Sequence, residues 1–128
     1  MAVLQSIDAP DVPKPVGSYA QALRLSDFDT LVFVSGQVPE AADGKVPSGF
    51  EDQCRLVWSN IEKQLAACGM TLNDIVKVTT FLSHPGQRNE QSRIRNEVLG
   101  GHRPALTVIL CDIYASKWLL EIEVTAAR

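Results

Sequence analysis

The succession of apolar patterns along the chain predicts an α+β fold of order ββαβαββ, a sheet carrying two helices. Two observations carry that expectation. Short runs rich in β-branched residues, such as Leu31-Val32-Phe33-Val34 and Ala105 to Cys111, have the length and composition of strands. One longer segment, Phe50 to Cys68, repeats its apolar residues every three or four positions, the period of a helix packed on one side.

The elements follow in order. Residues 1–18 are rich in proline and read as an extended arm. Ala20 to Leu25 forms a short strand, and Ser26-Asp27-Phe28-Asp29 turns the chain into the strand at Leu31–Val34. Ser35-Gly36-Gln37 and Pro39 end that strand. Ala42-Asp43-Gly44-Lys45 is a loop with a DG turn signal. Ser48 and Glu51 have the spacing of a capping box at the start of the first helix. Phe50, Cys54, Val57, Ile61, Leu65 and Cys68 form its apolar stripe, and Gly69 stops it as a left-handed residue. Ile75 to Leu82 is a strand, His84-Pro85-Gly86 a turn, and Gln87 to Leu99 a second helix with a thin apolar face of Ile94, Val98 and Leu99. Ala105 to Cys111 and Leu119 to Ala126 close the sheet.

Residues 1–128 form one domain, long enough to bury about two thirds of its unfolded surface. At 45% hydrophobic and 21% charged it is globular. A net charge of −3 disfavours nucleic acid as a partner, since binding the phosphate backbone calls for a basic excess. No apolar stretch approaches the ~20 residues of a membrane span. No basic leader with a long apolar core opens the chain, so a cytoplasmic location is expected. The three cysteines lack CxxC spacing, so Cys54, Cys68 and Cys111 read as reduced, buried thiols.

The strands raise a covering problem. Val32 and Val34 point to one side of their strand, Leu31 and Phe33 to the other, and all four are apolar. Leu106, Val108 and Leu110 against Ala105 and Ile109 repeat the pattern. Strands apolar on both sides need cover on both, and two helices cover one. A second copy of the chain is the simplest cover for the other, so the pattern itself argues for an oligomer.

Few residues carry an unambiguous chemical signal. Phosphate-loop, dinucleotide, zinc-protease and serine-hydrolase motifs are absent. His84 and His102 lack metal-ligand spacing and read as loop histidines. Ser35 is a candidate nucleophile without a recognisable base, and a strand-end serine bonding to backbone is the simpler reading. Glu121, Glu123 and Thr125 share one face of the last strand. That face is either solvated or presents a carboxylate to a cleft between subunits, where it could act as general base or acid. Tyr19 reads as a packed aromatic or as a hydroxyl at a site mouth. Arg88, Arg93, Arg95 and Arg103 read as a solvated helix face.

Taken together, these motifs resemble a known family. Val16-Gly17-Ser18-Tyr19-Ala20-Gln21-Ala22 is similar to its G-P-Y-S-Q-A segment, and Val34-Ser35-Gly36-Gln37-Val38-Pro39 to its S-G-Q-x-P. Gln53, Asn60-Ile61 and Leu65 through Gly69 follow its first helix. Asp74-Ile75-Val76-Lys77-Val78-Thr79-Thr80-Phe81-Leu82 follows its D-V-V-K-x-T-x-F-L strand. Asn89, Arg103-Pro104-Ala105 and Glu121-Ile122-Glu123 complete the order. By these the chain is identified as a member of the Rid family of reactive-intermediate deaminases, also called the YjgF family.

The resemblance implies a chorismate-mutase-like fold, a mixed six-stranded sheet with two helices on one side. It implies a homotrimer whose sheets enclose a central barrel, with small-molecule sites in the clefts between subunits. The implied activity is hydrolysis of enamines and imines to a carbonyl compound and ammonia, without metal or organic cofactor. Glu121 would position the attacking water, Tyr19 and Ser35 would line the pocket, and backbone around Val108 would add hydrogen bonds. A family label of endoribonuclease is disfavoured by the acidic charge.

One position departs from the pattern. In active imine deaminases the third residue of Pro-Ala-Arg binds the substrate carboxylate through a bidentate pair. Here it is Leu106, which offers no donor. Arg103 is near in sequence, but strand alternation points it away from the face of Leu106. The expectation is therefore a divergent member whose substrate is not the usual 2-imino acid, or a non-catalytic trimeric ligand-binding protein.

Overall fold

Three strands rich in Val, Ile, Leu and Thr set the architecture. The computed structural model describes residues 2–128. β6 (Leu120–Ala127) lies at the centre of a four-stranded sheet, antiparallel to both β3 (Leu31–Gln37) and β4 (Ile75–Leu82). β5 (Ala105–Leu110) runs parallel to β4 at the other edge, giving the order β3-β6-β4-β5. β1 (Val3–Ile7) and β2 (Ala22–Ser26) form an antiparallel ribbon. A parallel bridge from Ala20 to Ala105, with the Ala20 N–H donating to the Pro104 carbonyl at 3.2 Å, ties the ribbon's approach to β5. The described residues thus form six strands in a mixed α+β arrangement, one more than the bare pattern predicts. The extra one is β1, inside the expected arm.

One face of the sheet carries both helices. Leu120, Ile122, Val124 and Ala126 alternate inward along β6, beside Val78 and Leu82 of β4 and Val34 of β3, and all are buried. Against them packs α1 (Phe50–Ala67) through Cys54, Val57, Trp58, Ile61 and Leu65. Each such side chain, fully buried, contributes about 1.5–3 kcal/mol. α2 (Arg88–Leu99) adds Ile94 and Leu99 to the same core.

The helix ends show where local signals hold and where they fail. At the C-terminus of α1 the Gly69 N–H donates to the Ala66 carbonyl and the Met70 N–H to that of Leu65, with Gly69 at φ +74°. This is a Schellman stop, closed by the buried pair Met70 and Leu65. At the N-terminus the capping residue is Gly49, without a side-chain bond, so Ser48 and Glu51 form no capping box. Glu51 turns instead to Arg55 and Arg93. The stripe also ends one residue early: Cys68 is exposed, as is Cys111, and only Cys54 is the buried thiol expected of all three. Burial in the core pushes the Cys54 thiol up to about 12.

Two motif polar residues on α1 are scaffold. Gln53 is buried, and its three side-chain hydrogen bonds all go to backbone. Its amide donates to the carbonyls of Pro47 (2.7 Å) and Lys117 (3.0 Å), and its oxygen accepts from the Leu119 N–H at 2.9 Å. Asn60 donates to the carbonyls of Val38 and Glu40, fixing the chain as it leaves β3. The other sheet face has no helix. Phe33 stands 75% exposed on it, with Leu31 and Ile109 also open.

Candidate active site in two halves

The first half is a groove beside α2. Its floor is β5, where Leu106 and Val108 point to the helix side. Its wall is α2, and its rim is the turn before β2. That turn is tight: the Tyr19 N–H donates to the Gly17 carbonyl at 3.0 Å, and the Val16 N–H to the Tyr19 hydroxyl at 3.3 Å. The hydroxyl hydrogen therefore remains available to a ligand. The Ala20–Pro104 bond holds this turn against the start of β5. The groove encloses about 680 Å³, and Asn89, Arg88 and Arg95 also face it.

The second half lies on the opposite sheet face. The β3–β6 register slips between Val34 and Gln37, so β3 carries a bulge at Ser35-Gly36. The side-chain amide of Gln37 donates to the Ser35 carbonyl across the bulge at 2.9 Å. A bulge re-aims the backbone, and here it sets Gly36 beside Glu121. A methyl group added at Gly36 would overlap the Glu121 carboxylate, so glycine is what leaves that carboxylate its place. Phe81, Cys111 and Glu123 join Gly36 and Glu121 around a hollow of about 360 Å³. The S-G-Q motif is thus a device for presenting Glu121.

The structure brings Tyr19, Leu106 and Val108 together, and separately Glu121 with the Ser35-Gly36 bulge. It does not bring the two groups together. Glu121 pairs across the sheet with Phe81, which pairs with Ile109, one residue beyond Val108 and so on the opposite face. Arg103 is outside the groove lining. Its guanidinium reaches only the Tyr19 carbonyl, at 3.5 Å. The histidines behave as loop residues: His84 is exposed, and His102 Nε2 lies 2.5 Å from the Ile75 carbonyl. Among the described residues no group of His, Cys, Asp and Glu side chains is placed to hold a metal ion. Among the described residues no helix is long and apolar enough to cross a membrane.

The expectation of a solvated arginine face on α2 needs correction. Arg88 and Arg93 are exposed, but Arg95 is only 3% exposed. A signal for this was present in the sequence. Arg95 follows Ile94 directly and precedes Leu99 by four residues, which places it on the inward stripe.

The family model described as Endoribonuclease L-PSP matches residues 9–128. The chain belongs to the YjgF/Rid family. Among Rid relatives, the RutC family protein PH0854 of Pyrococcus horikoshii is 33% identical over 120 residues, covering 92% of this chain and 93% of that one. TdcF of Escherichia coli K12, provisionally named a reactive intermediate deaminase, is 33% identical over 126 residues, 95% of each chain. Among solved structures, the Rid protein YyfB of Yersinia pestis superposes with a TM-score of 0.82 over 98% of each chain at 21% identity. RidA of an Antarctic Psychrobacter gives 0.74 at 26% identity, over 97% of this chain and 99% of that one.

Proposed function

We propose that the chain is a Rid-type deaminase that hydrolyses a reactive enamine or imine to a carbonyl compound and ammonia. Its site is completed between subunits of a homotrimer. The observation that carries this reading is the division of the expected site residues between opposite sheet faces. One copy offers a groove with Tyr19, Asn89 and Val108 but no carboxylate. The other offers Glu121 on a shaped bulge with an open hollow before it. Packing one copy's bare sheet face against a neighbour's groove would unite the two.

The chemistry then follows from the groups present. An enamine takes a proton on carbon to become the iminium ion. Glu121 accepts a proton from water as the water oxygen bonds to the imine carbon. The resulting carbinolamine regains that proton on nitrogen; as the C–N bond breaks and ammonia leaves, the hydroxyl gives its proton to Glu121 and the carbonyl forms. Tyr19, whose hydroxyl accepts from the Val16 N–H, would donate its hydrogen to a substrate oxygen or nitrogen. No step needs a metal or an organic cofactor.

Leu106 shapes the selectivity. An unpaired carboxylate buried against leucine loses the roughly 2–5 kcal/mol that a buried hydrogen-bonded charge pair represents. The chain should therefore turn over 2-iminobutyrate and 2-aminoacrylate poorly and favour another enamine or imine. The same residue favours a second reading, a trimeric ligand-binding protein without turnover. Ammonia release from a panel of enamines generated in situ separates the two. Turnover that falls at least a hundredfold in Glu121→Gln supports the deaminase. Ammonia release equal in wild type, Glu121→Gln and buffer supports the binding protein.

A further inference from the structure

Arg95 is a buried cation without a counter-charge. Its Nη1 lies 3.4 Å from the Gln91 side-chain oxygen and its Nη2 3.1 Å from the Ser92 hydroxyl, both neutral and on its own helix. Its Nε–H is buried with no partner. A guanidinium carries five N–H donors, so most of this one's capacity is unspent. The surrounding chain does not lack carboxylates. Glu51 and Glu97 are used on Arg55 and Arg93, exposed arginines that water would satisfy. Isolating a buried cation is costly, and a chain retains one where something else completes it.

Arg95 also faces the groove, opposite the floor where Leu106 stands without a donor. We propose that Arg95 is the anion-binding residue of this groove, and that the ligand it takes is a small organic carboxylate held from α2 instead of from β5. The inference rests on the deaminase reading only in naming that ligand as substrate. A planar fork with a free Nε–H matches the two oxygens of a carboxylate. Burial holds the Arg95 pKa below the ordinary arginine value, and the ionisable groups acting on it, Cys54 and Tyr19, are a thiol and a phenol, not carboxylates. Moving the cation from β5 to α2 moves the substrate's charge relative to the reacting carbon. That is consistent with the poor turnover of the usual 2-imino acids expected from Leu106.

The test is ligand binding, read apart from turnover. Thermal shift and calorimetry are run with butyrate, hexanoate and benzoate, with their primary amides as neutral controls and with inorganic phosphate. The carboxylates should raise Tm and the amides should not. Arg95→Met should weaken carboxylate binding on the order of tenfold to a hundredfold while leaving the ligand-free Tm equal or higher, because it removes an uncompensated buried charge. In ¹⁵N-labelled wild type the Arg95 Nε–H resonance should move on carboxylate titration, a readout that needs no variant. Carboxylates no better than amides, phosphate stronger than any carboxylate, or a static Nε–H resonance would each overturn the assignment. So would a ligand-free Tm that drops in Arg95→Met with carboxylate binding intact, since Arg95 would then be structural. Carboxylate binding through Arg95 without ammonia release leaves the assignment standing and removes the deaminase reading. Turnover of neutral enamines without carboxylate binding does the reverse.

Discussion

At the scale of single residues, the proposed function assigns selectivity to two side chains, Leu106 and Arg95, and the placing of Glu121 to one glycine, Gly36. Leu106 sits where a guanidinium would complete the family's hook. Leu106→Arg should raise kcat/KM on 2-iminobutyrate by on the order of a hundredfold, the worth of about 2–3 kcal/mol from a charge-assisted pair. Arginine is longer than leucine and would join Arg95 in one groove, so overpacking and like charge should lower stability by about 1–3 kcal/mol. Coupled imine-hydrolysis rates on the confirmed folded variant check this, and an unchanged rate would show a pocket diverged beyond one residue. Gly36 acts on the other half. The atom that a new Cβ would meet is the end of a flexible glutamate, so Gly36→Ala should leave the fold intact and push the Glu121 carboxylate aside. Ammonia release should fall about as far as in Glu121→Gln while Tm changes little. A Gly36→Ala protein with full turnover would detach Glu121 from the chemistry.

At the scale of elements, the strongly patterned segments were legible and the rest had physical reasons to hide. β4 matches its expected bounds, Ile75–Leu82, because its alternation is enforced by a core on one side. β1 was hidden because nearly all of it is exposed, with Leu4 alone half-buried, so no alternation is demanded of it. The capping signal at Ser48 failed because a stronger partner claimed Glu51. The Arg95 position was readable from spacing but masked by the charge of its neighbours. Glu51, Arg55, Arg93 and Glu97 form an ion network joining α1 to α2, with contacts from 2.7 to 3.3 Å, and Glu90 adds a longer one to Arg93 at 3.8 Å. The bonds from Arg55 hold the Glu51 and Glu97 carboxyls below their ordinary 4.5, with Arg93 adding to the effect. A depressed carboxyl stabilises the fold above its unfolded value and loses that contribution as pH falls through the lowered folded value. The stability gap between wild type and an Arg55→Met, Arg93→Met double variant should therefore be constant from pH 6 to 8 and close below about pH 4. It should also shrink in high salt, since all four groups are exposed. Denaturant midpoints across pH check it.

At the scale of the whole molecule, the sheet is finished on one side only. Val32, Val34 and the β6 alternation are covered by helices, while Leu31, Phe33 and Ile109 are left facing outward among Thr79, Thr107, Glu121 and Glu123. Among the described residues no third helix lies over them. The same face carries the Glu121 hollow, so on the proposed function a second copy would both cover the face and complete the site. Light scattering should give about 42 kDa, three times the 14.0 kDa chain. Tm should rise with protein concentration, as it does when association is linked to folding. Phe33→Asp places a charge where the most exposed aromatic of that face stands, and should yield a folded 14 kDa monomer or a loosely associated form. Because each half-site would then lack its complement, the monomer should lose ammonia release even with Glu121, Tyr19 and Arg95 unchanged. A monomer that retained turnover would mean that one copy holds a complete site. The division of the site between opposite sheet faces would then have no bearing on the chemistry.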